Sequence, residues 1–185
     1  MTRLLITTGP ESCGKTTLAA ALSEHLQAPL VTEAARHFLD ARFQREGHYR
    51  YAQSDLSVIA TQQHALEQHG LQMAGTHLVC DTDLLVLMIW SEVKFGKVDP
   101  LITDLFARSL ATTERTYLLC DTRIPWQQDP QREDADNREA LFERYVAKLD
   151  YHGLDYWVIR GSVPERLQQV QALLTPTAGC PCCAD

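Results

Sequence analysis

An α/β protein built on a parallel sheet is what this sequence predicts, and three observations predict it. Short apolar runs alternate with long helical patterns, a glycine-rich loop joins the first run to the first helix, and the composition is that of an ordinary globular chain. The expected strands are Arg3 to Thr8, Leu30 to Thr32, His77 to Cys80, Thr116 to Cys120 and Tyr156 to Ile159. The expected helices are Thr16 to Leu26, Ala34 to Gln44, Ser54 to Met73, Asp83 to Phe95, Pro100 to Leu110, Arg138 to Tyr151 and Pro164 to Leu174. Two helix starts carry capping-box spacing, Asp136 with Glu139 and Ser162 with Glu165, in which paired side chains satisfy orphan backbone groups.

At 185 residues the chain is one domain's worth, with 45% hydrophobic and 22% charged residues. No repeat and no Ser/Gly linker divides it, so residues 1–174 are expected to form a single domain and residues 175–185 a frayed tail. Seventeen basic against 24 acidic residues leave a net charge of −7, which gives no general field for nucleic acid or an anionic membrane. The longest apolar run, Leu84 to Trp90, has seven residues where a membrane span needs about 20, so no membrane insertion is expected. Only Leu4, Leu5 and Ile6 are consecutively apolar near the start, which is no signal peptide, and the reading is a cytoplasmic protein. Cys13, Cys80 and Cys120 are scattered, while Cys180, Cys182 and Cys183 crowd the end without the spacing of a tetrahedral zinc site.

The decisive motif is Gly9-Pro10-Glu11-Ser12-Cys13-Gly14-Lys15-Thr16, followed by Thr17, which fits G-x-x-x-x-G-K-[ST] at each constrained position. A strand leads into it, and a helix with Leu18, Leu22 and Leu26 on one face leaves it, as a phosphate loop requires. The glycines let backbone N–H groups point inward, the helix N-terminus adds positive dipole, Lys15 reaches phosphate oxygens and Thr16 offers a hydroxyl to Mg²⁺. Residues 9–17 are thus the expected ATP-binding segment, with Cys13 turned toward the helix or a neighbouring strand.

Carboxylates complete the reading. Asp81-Thr82-Asp83 ends a strand at the carboxyl edge of the sheet, where open α/β folds bind ligands. Asp81 is expected to hold Mg²⁺ with Thr16; Asp83 is expected to grip the substrate or serve as base, or merely to cap the following helix, and one side chain can fill both roles at different times. Glu33, after the second strand, is positioned to take a proton from an attacking hydroxyl, with Arg36 one turn on orienting substrate or phosphate. The polar stretch Asp121 to Asn137 reads as a mobile lid that cannot be core; it contains Arg123, Trp126, Asp129 and Arg132, of which Trp126 is expected to contact the substrate and Arg132 is the preferred arginine to close over a transferring phosphoryl. Tyr49, Tyr51, Trp90 and Phe95 could frame an aromatic base or be ordinary packing. His25, His37, His64 and His69 lack ligand spacing and are assigned no chemistry.

Gly9 to Thr17, Glu33-Ala-Ala-Arg36, Asp81-Thr82-Asp83, and Ile124-Pro125-Trp126 with Asp129 and Arg132 together resemble the ATPase-like kinases related to bacterial ribosylnicotinamide kinase, over roughly Leu4 to Leu174. The resemblance implies the P-loop nucleoside triphosphate hydrolase fold, five parallel strands in the order 2-3-1-4-5 with helices on both faces and a short lid. It also implies ATP, Mg²⁺ and phosphorylation of the ribose 5′-hydroxyl of nicotinamide riboside. In that family the kinase is one part of a bifunctional regulator; its adenylyltransferase and DNA-binding portions have no counterpart here, so a kinase domain alone is expected. Relatives stack the nicotinamide ring between aromatic side chains, one of which precedes the acidic residue after strand two. Here Thr32 holds that position, so the stacking face comes from elsewhere or the acceptor is another nucleoside. The competing expectations are a kinase for a nucleotide or other metabolite, and a nucleotide-dependent switch or assembly ATPase. The guanine-reading motif Asn-Lys-x-Asp is absent.

Overall fold

The structure is a computed structural model, and it describes residues 2–127, 129–131 and 137–175. Five strands form one parallel sheet: β1 (Arg3–Thr8), β2 (Leu30–Val31), β3 (His77–Asp81), β4 (Arg115–Cys120) and β5 (Tyr156–Ile159), in the spatial order β2-β3-β1-β4-β5. The helices are α1 (Lys15–Leu26), α2 (Ala34–Glu46), α3 (Gln53–Met73), α4 (Leu84–Phe95), α5 (Pro100–Thr112), α6 (Arg138–Tyr151) and α7 (Val163–Leu174). The central strand pairs on both sides, Thr7 opposite Asp81 of β3 and Thr8 opposite Leu119 of β4. That register brings the ends of β1 and β3 together at one edge of the sheet.

The two-residue period of the strands sorts their side chains between two cores. Leu4, Ile6, Leu78, Cys80, Tyr117 and Leu119 face the helices on one side, α2 through α6. Leu5, Val79, Leu118, Cys120 and Ile159 face α1 and α7 on the other, with Leu18, Leu22 and Val170. Burial on both faces explains why these strands read as continuous apolar runs, and each fully buried leucine contributes about 1.5–3 kcal/mol. Gly70 in α3 has a packing reason to be glycine: a Cβ there would lie 2.8 Å from Val31 Cγ2 and 3.0 Å from Leu78 Cδ1.

Three sequence expectations need correction. Thr32 lies outside β2, its hydroxyl instead meeting His37 Nε2 at 3.0 Å, and Asp83 is the N-cap of α4 rather than its first residue. Asp121 is buried despite its polar surroundings, because its N–H extends the ladder to Ile159 O and Arg160 Nε reaches its carboxylate at 3.2 Å. Asn137, without a side-chain cap bond, precedes α6; Asp136 lies outside the described residues. The second expected box is present: Glu165 Oε2 accepts from Ser162 N–H at 2.7 Å and from its hydroxyl at 2.6 Å. No described helix is long and apolar enough to cross a membrane.

Candidate active site

A cavity of about 370 Å³ opens at the carboxyl edge of the sheet, and residues 9–17 line it without a gap. The loop's shape depends on left-handed backbone at Gly14 (φ 82°) and Ser12 (φ 56°). Gly9 (φ 131°) permits a close approach, since a Cβ there would sit 3.0 Å from Cys120 O. Cys13 is fully buried among Leu5, Leu18 and Cys120, as expected for a side chain turned away from the cavity. Lys15 Nζ donates to Gly9 O (2.9 Å) and Pro10 O (2.7 Å), which holds the ammonium against the loop. Burial disfavours its charge, but Cys13, Glu33 and Asp81 outweigh that and raise its pKa.

Asp81 ends β3 beside this loop. It hydrogen-bonds Thr16 and Thr7, yet its Oδ1, buried, has no hydrogen-bond partner. Burial raises its pKa, opposed by Thr16, Lys15 and Arg36. An orphaned carboxylate oxygen next to a hydroxyl is a hard-oxygen donor pair that suits Mg²⁺, which keeps several waters and takes phosphate oxygens besides one or two protein ligands. Thr16 and Asp81 are therefore the residues that fit this ion. Among the described residues no group of three or more His, Cys, Asp and Glu side chains could enclose a metal by itself, and a nucleotide-bound ion needs none.

Glu33 and Arg36 line the middle of the cavity. Glu33 is the N-cap residue of α2 but makes no side-chain cap bond; Gln63 Oε1 of α3 takes that task, accepting from Ala34 N–H at 2.8 Å. The Glu33 carboxylate is thereby left to the cavity. Burial raises its pKa, with Asp81 adding to the rise and Lys15 and Arg36 opposing it. A carboxyl pushed upward in this way is a better proton acceptor at neutral pH. Arg36 Nη1 reaches Asp129 Oδ2 at 3.2 Å, and Gln131 Nε2 meets Asp40 Oδ1 at 2.5 Å, so α2 is tied to the segment beyond β4.

Beyond Glu33 the wall turns apolar, with Tyr51, Val86, Ile89, Trp90 and Val93, and Lys94 Nζ lies 3.8 Å from the Tyr51 ring centre. The Tyr51 and Trp90 rings are 25° from parallel with centres 6.2 Å apart. Tyr49 instead stacks on Phe43 at 4.6 Å, and Phe95 meets Tyr51 edge-on outside the lining, so two of the four expected aromatics reach the cavity.

Other expected residues are placed differently. Asp83 is buried and its oxygens are spoken for: Oδ1 accepts from Leu85 N–H (3.0 Å), and Oδ2 accepts from the Tyr117 hydroxyl (2.6 Å) and lies 3.4 Å from Arg115 Nη1. It caps α4, as one of the expected roles requires, and like Asp81 it is not among the residues that line the cavity. Trp126 likewise is absent from the lining, its ring centre 6.0 Å from the Arg138 guanidinium; Arg132 and Cys180, Cys182 and Cys183 lie outside the described residues. Arg123 pairs with Asp121 at 3.2 Å. Two arginines that sequence reasoning missed grip the loop. Arg138 Nη2 donates to Ser12 O (3.1 Å), and Arg166 Nη1 donates to Cys13 O (2.8 Å). An arginine inside an amphipathic helix pattern carries no motif, so nothing in the one-dimensional pattern singled them out.

A parallel sheet in this order, with a phosphate loop after β1 and an acid at the end of β3, defines a P-loop protein of the kind seen in nucleoside and nucleotide kinases. The chain belongs to a family described as AAA domain, whose model matches residues 4–166. Among solved structures it is similar to the NadR protein in complex with NAD and AMP-PNP, at TM-score 0.71 and 18% identity, over 93% of this chain and 48% of that one. The chain thus spans about half the length of that NadR protein. It is also similar to thymidylate kinase from Ehrlichia chaffeensis, at TM-score 0.68 and 14% identity, over 94% of this chain and 100% of that one. Deoxyadenosine kinase from M. mycoides follows at TM-score 0.62 and 13% identity, over 93% and 98% of the two chains. At these identities the likeness is one of fold. No curated protein matches the sequence.

Proposed function

We propose that the protein transfers the γ-phosphoryl of ATP to the 5′-hydroxyl of a nucleoside, with nicotinamide riboside as the acceptor and nicotinamide mononucleotide as the product. The observation that carries the reading is that one cavity joins a phosphate loop to a second compartment holding Glu33, Tyr51 and Trp90. An ATPase that only hydrolyses needs the first compartment and has no use for the second.

Loop N–H groups and Lys15 bind the phosphates and stabilise charge that builds on them. Mg²⁺, held by Thr16 and Asp81, supplies further neutralisation of phosphate charge when bound. Glu33 accepts the proton of the acceptor hydroxyl as its oxygen forms the new P–O bond; the bond to the β–γ bridging oxygen breaks, and its electron pair leaves with ADP. Arg36, anchored by Asp129, orients the acceptor beside Glu33. Tyr51 and Trp90 offer aromatic faces to the base, in place of the residue that Thr32 replaces. The NadR likeness supports the pyridine nucleoside, while the thymidylate and deoxyadenosine kinase folds favour a second reading, an acceptor with an ordinary nucleobase.

Incubation with Mg-ATP and a panel of nucleosides, nucleotides and small alcohols, read by product mass, tests both. Nicotinamide mononucleotide as the dominant product is expected. Phosphorylation of a different nucleoside would transfer the proposal to the second reading, and ATP hydrolysis with no phosphorylated acceptor would overturn both.

A further inference from the structure

We propose that Arg138 and Arg166 are positioning residues for the phosphates: by holding the Ser12 and Cys13 carbonyls, they aim the Cys13 and Gly14 N–H groups into the cavity. The inference rests on the kinase reading of the loop, though not on the identity of the acceptor.

In a trans peptide the C=O of one residue and the N–H of the next point in opposite directions. Every described peptide here is trans. The Ser12 carbonyl shares its peptide plane with Cys13 N–H, and the Cys13 carbonyl with Gly14 N–H. Arg138 Nη2 takes the first carbonyl at 3.1 Å and Arg166 Nη1 the second at 2.8 Å, so two consecutive planes are pinned by their outer ends. The left-handed φ values at Ser12 (56°) and Gly14 (82°) alternate with the ordinary one at Cys13, the geometry in which successive N–H groups converge on an anion.

Each guanidinium is also anchored elsewhere. Arg138 Nη1 donates to Ile124 O at 2.9 Å, on the segment after β4, and Arg166 Nε donates to Gly161 O at 2.9 Å, at the turn before α7. Both bonds of each arginine go to backbone carbonyls, and among the described residues neither guanidinium has an ion pair with a carboxylate. Arg166 is only 2% exposed. A buried cation without an acid costs free energy unless hydrogen bonds or an anion compensate it. The buried charge of Arg166, with the part-buried charge of Arg138 beside it, supplies a positive potential at the phosphate loop whose natural counterpart is a polyphosphate.

The test compares wild type with Arg138→Gln, Arg166→Met and Arg166→Lys for Mg-ADP affinity, thermal melting, and the amide proton and nitrogen shifts of Cys13 and Gly14 on ADP addition. Loss of a charge-assisted bond predicts ADP affinity ~10- to 100-fold weaker in Arg138→Gln and Arg166→Met, with smaller ADP-induced shifts at those two amides. Arg166→Lys keeps the charge but cannot span both carbonyls, so it recovers part of the affinity and gives a readout if the Met variant fails to fold. In turnover, KM for ATP rises while KM for the acceptor stays within about threefold. Folded variants with wild-type ADP affinity and unaltered amide responses would overturn the inference while leaving the kinase reading intact. A wild-type protein that binds no ADP would overturn both.

Discussion

Asp81 and Asp83 stand two residues apart, and the structure gives them opposite fates. Asp81 closes β3 next to the phosphate loop, bonded to Thr16 and Thr7 but with one oxygen left over. Asp83, past a left-handed Thr82 (φ 66°), caps α4 and enters a buried cluster with Tyr117, Arg115 and Glu67. Within that cluster Arg115 pairs with both oxygens of Glu67 and also donates to Ser109 O at 3.3 Å. Both carboxylate oxygens of Asp83 are engaged, by Leu85 N–H, Tyr117 and Arg115, whereas Asp81 keeps one buried oxygen without a hydrogen-bond partner. On the proposed reading the carboxylate with the unpaired oxygen does the chemistry and the satisfied one stabilises the frame around it.

The largest effect expected is at the loop itself. Lys15→Ala should lower phosphoryl transfer at least ~10³-fold with the fold intact, because a point charge on the phosphates is lost. Activity near wild type in a folded variant would refute the phosphate-loop assignment. Next, Glu33→Gln should reduce kcat by ~10²- to 10⁴-fold with ATP affinity little changed, the magnitude of lost general-base assistance; unchanged kcat at saturating substrates would move the base elsewhere.

The two aspartates then separate by what each variant damages. Asp81→Asn is expected to lower turnover ~10²-fold or more and to raise the Mg²⁺ concentration needed, while melting stays the same or rises, since a buried, partly unsatisfied charge is removed. Asp83→Ala should cost about 3–5 kcal/mol of stability, as it leaves Arg115 and Tyr117 short of a partner, with the acceptor KM little changed in the folded fraction. If instead Asp83→Ala melts normally and loses acceptor binding, Asp83 belongs to the site after all.

A smaller effect concerns pH. Burial lifts the Asp83 pKa to about 6 from 3.8, against the pull of Arg115 and the Tyr117 hydrogen bond. Between those values the folded state holds the proton that the unfolded chain releases. Stability from this group is therefore full below about pH 4 and is lost as pH rises through about 6, at up to ~1.4 kcal/mol per pH unit. Denaturation midpoints of wild type and Asp83→Asn across pH 4 to 7, as trial conditions, should show this slope in the first and not in the second.

Much of this molecule was legible in one dimension, and the reason is local. Strand β1 and helices α1 and α7 are set by apolar period and by the Ser162 and Glu165 pair, and the phosphate loop by residues within a span of nine. Such features depend on neighbours in the chain, so their residues announce them. The strand order, by contrast, came through resemblance, because no periodicity states which strand lies beside which; the pairing of Thr7 with Asp81 and Thr8 with Leu119 establishes it.

The site divides in the same way. The placement of Lys15, Thr16, Asp81 and Glu33 was readable because each sits at a strand end or in the loop, where a parallel sheet gathers such groups. That Gln63 caps α2 and leaves Glu33 to the cavity is a contact across 29 residues, and nothing near Glu33 encodes it. The hydrogen bond that engages Asp83 comes from Tyr117, 34 residues on, and the grip of Arg166 on Cys13 crosses 153 residues. Hydrogen-bond satisfaction is a property of assembled space. The sequence by itself determined which groups could do chemistry, and the tertiary structure decided which of them were left available to do it.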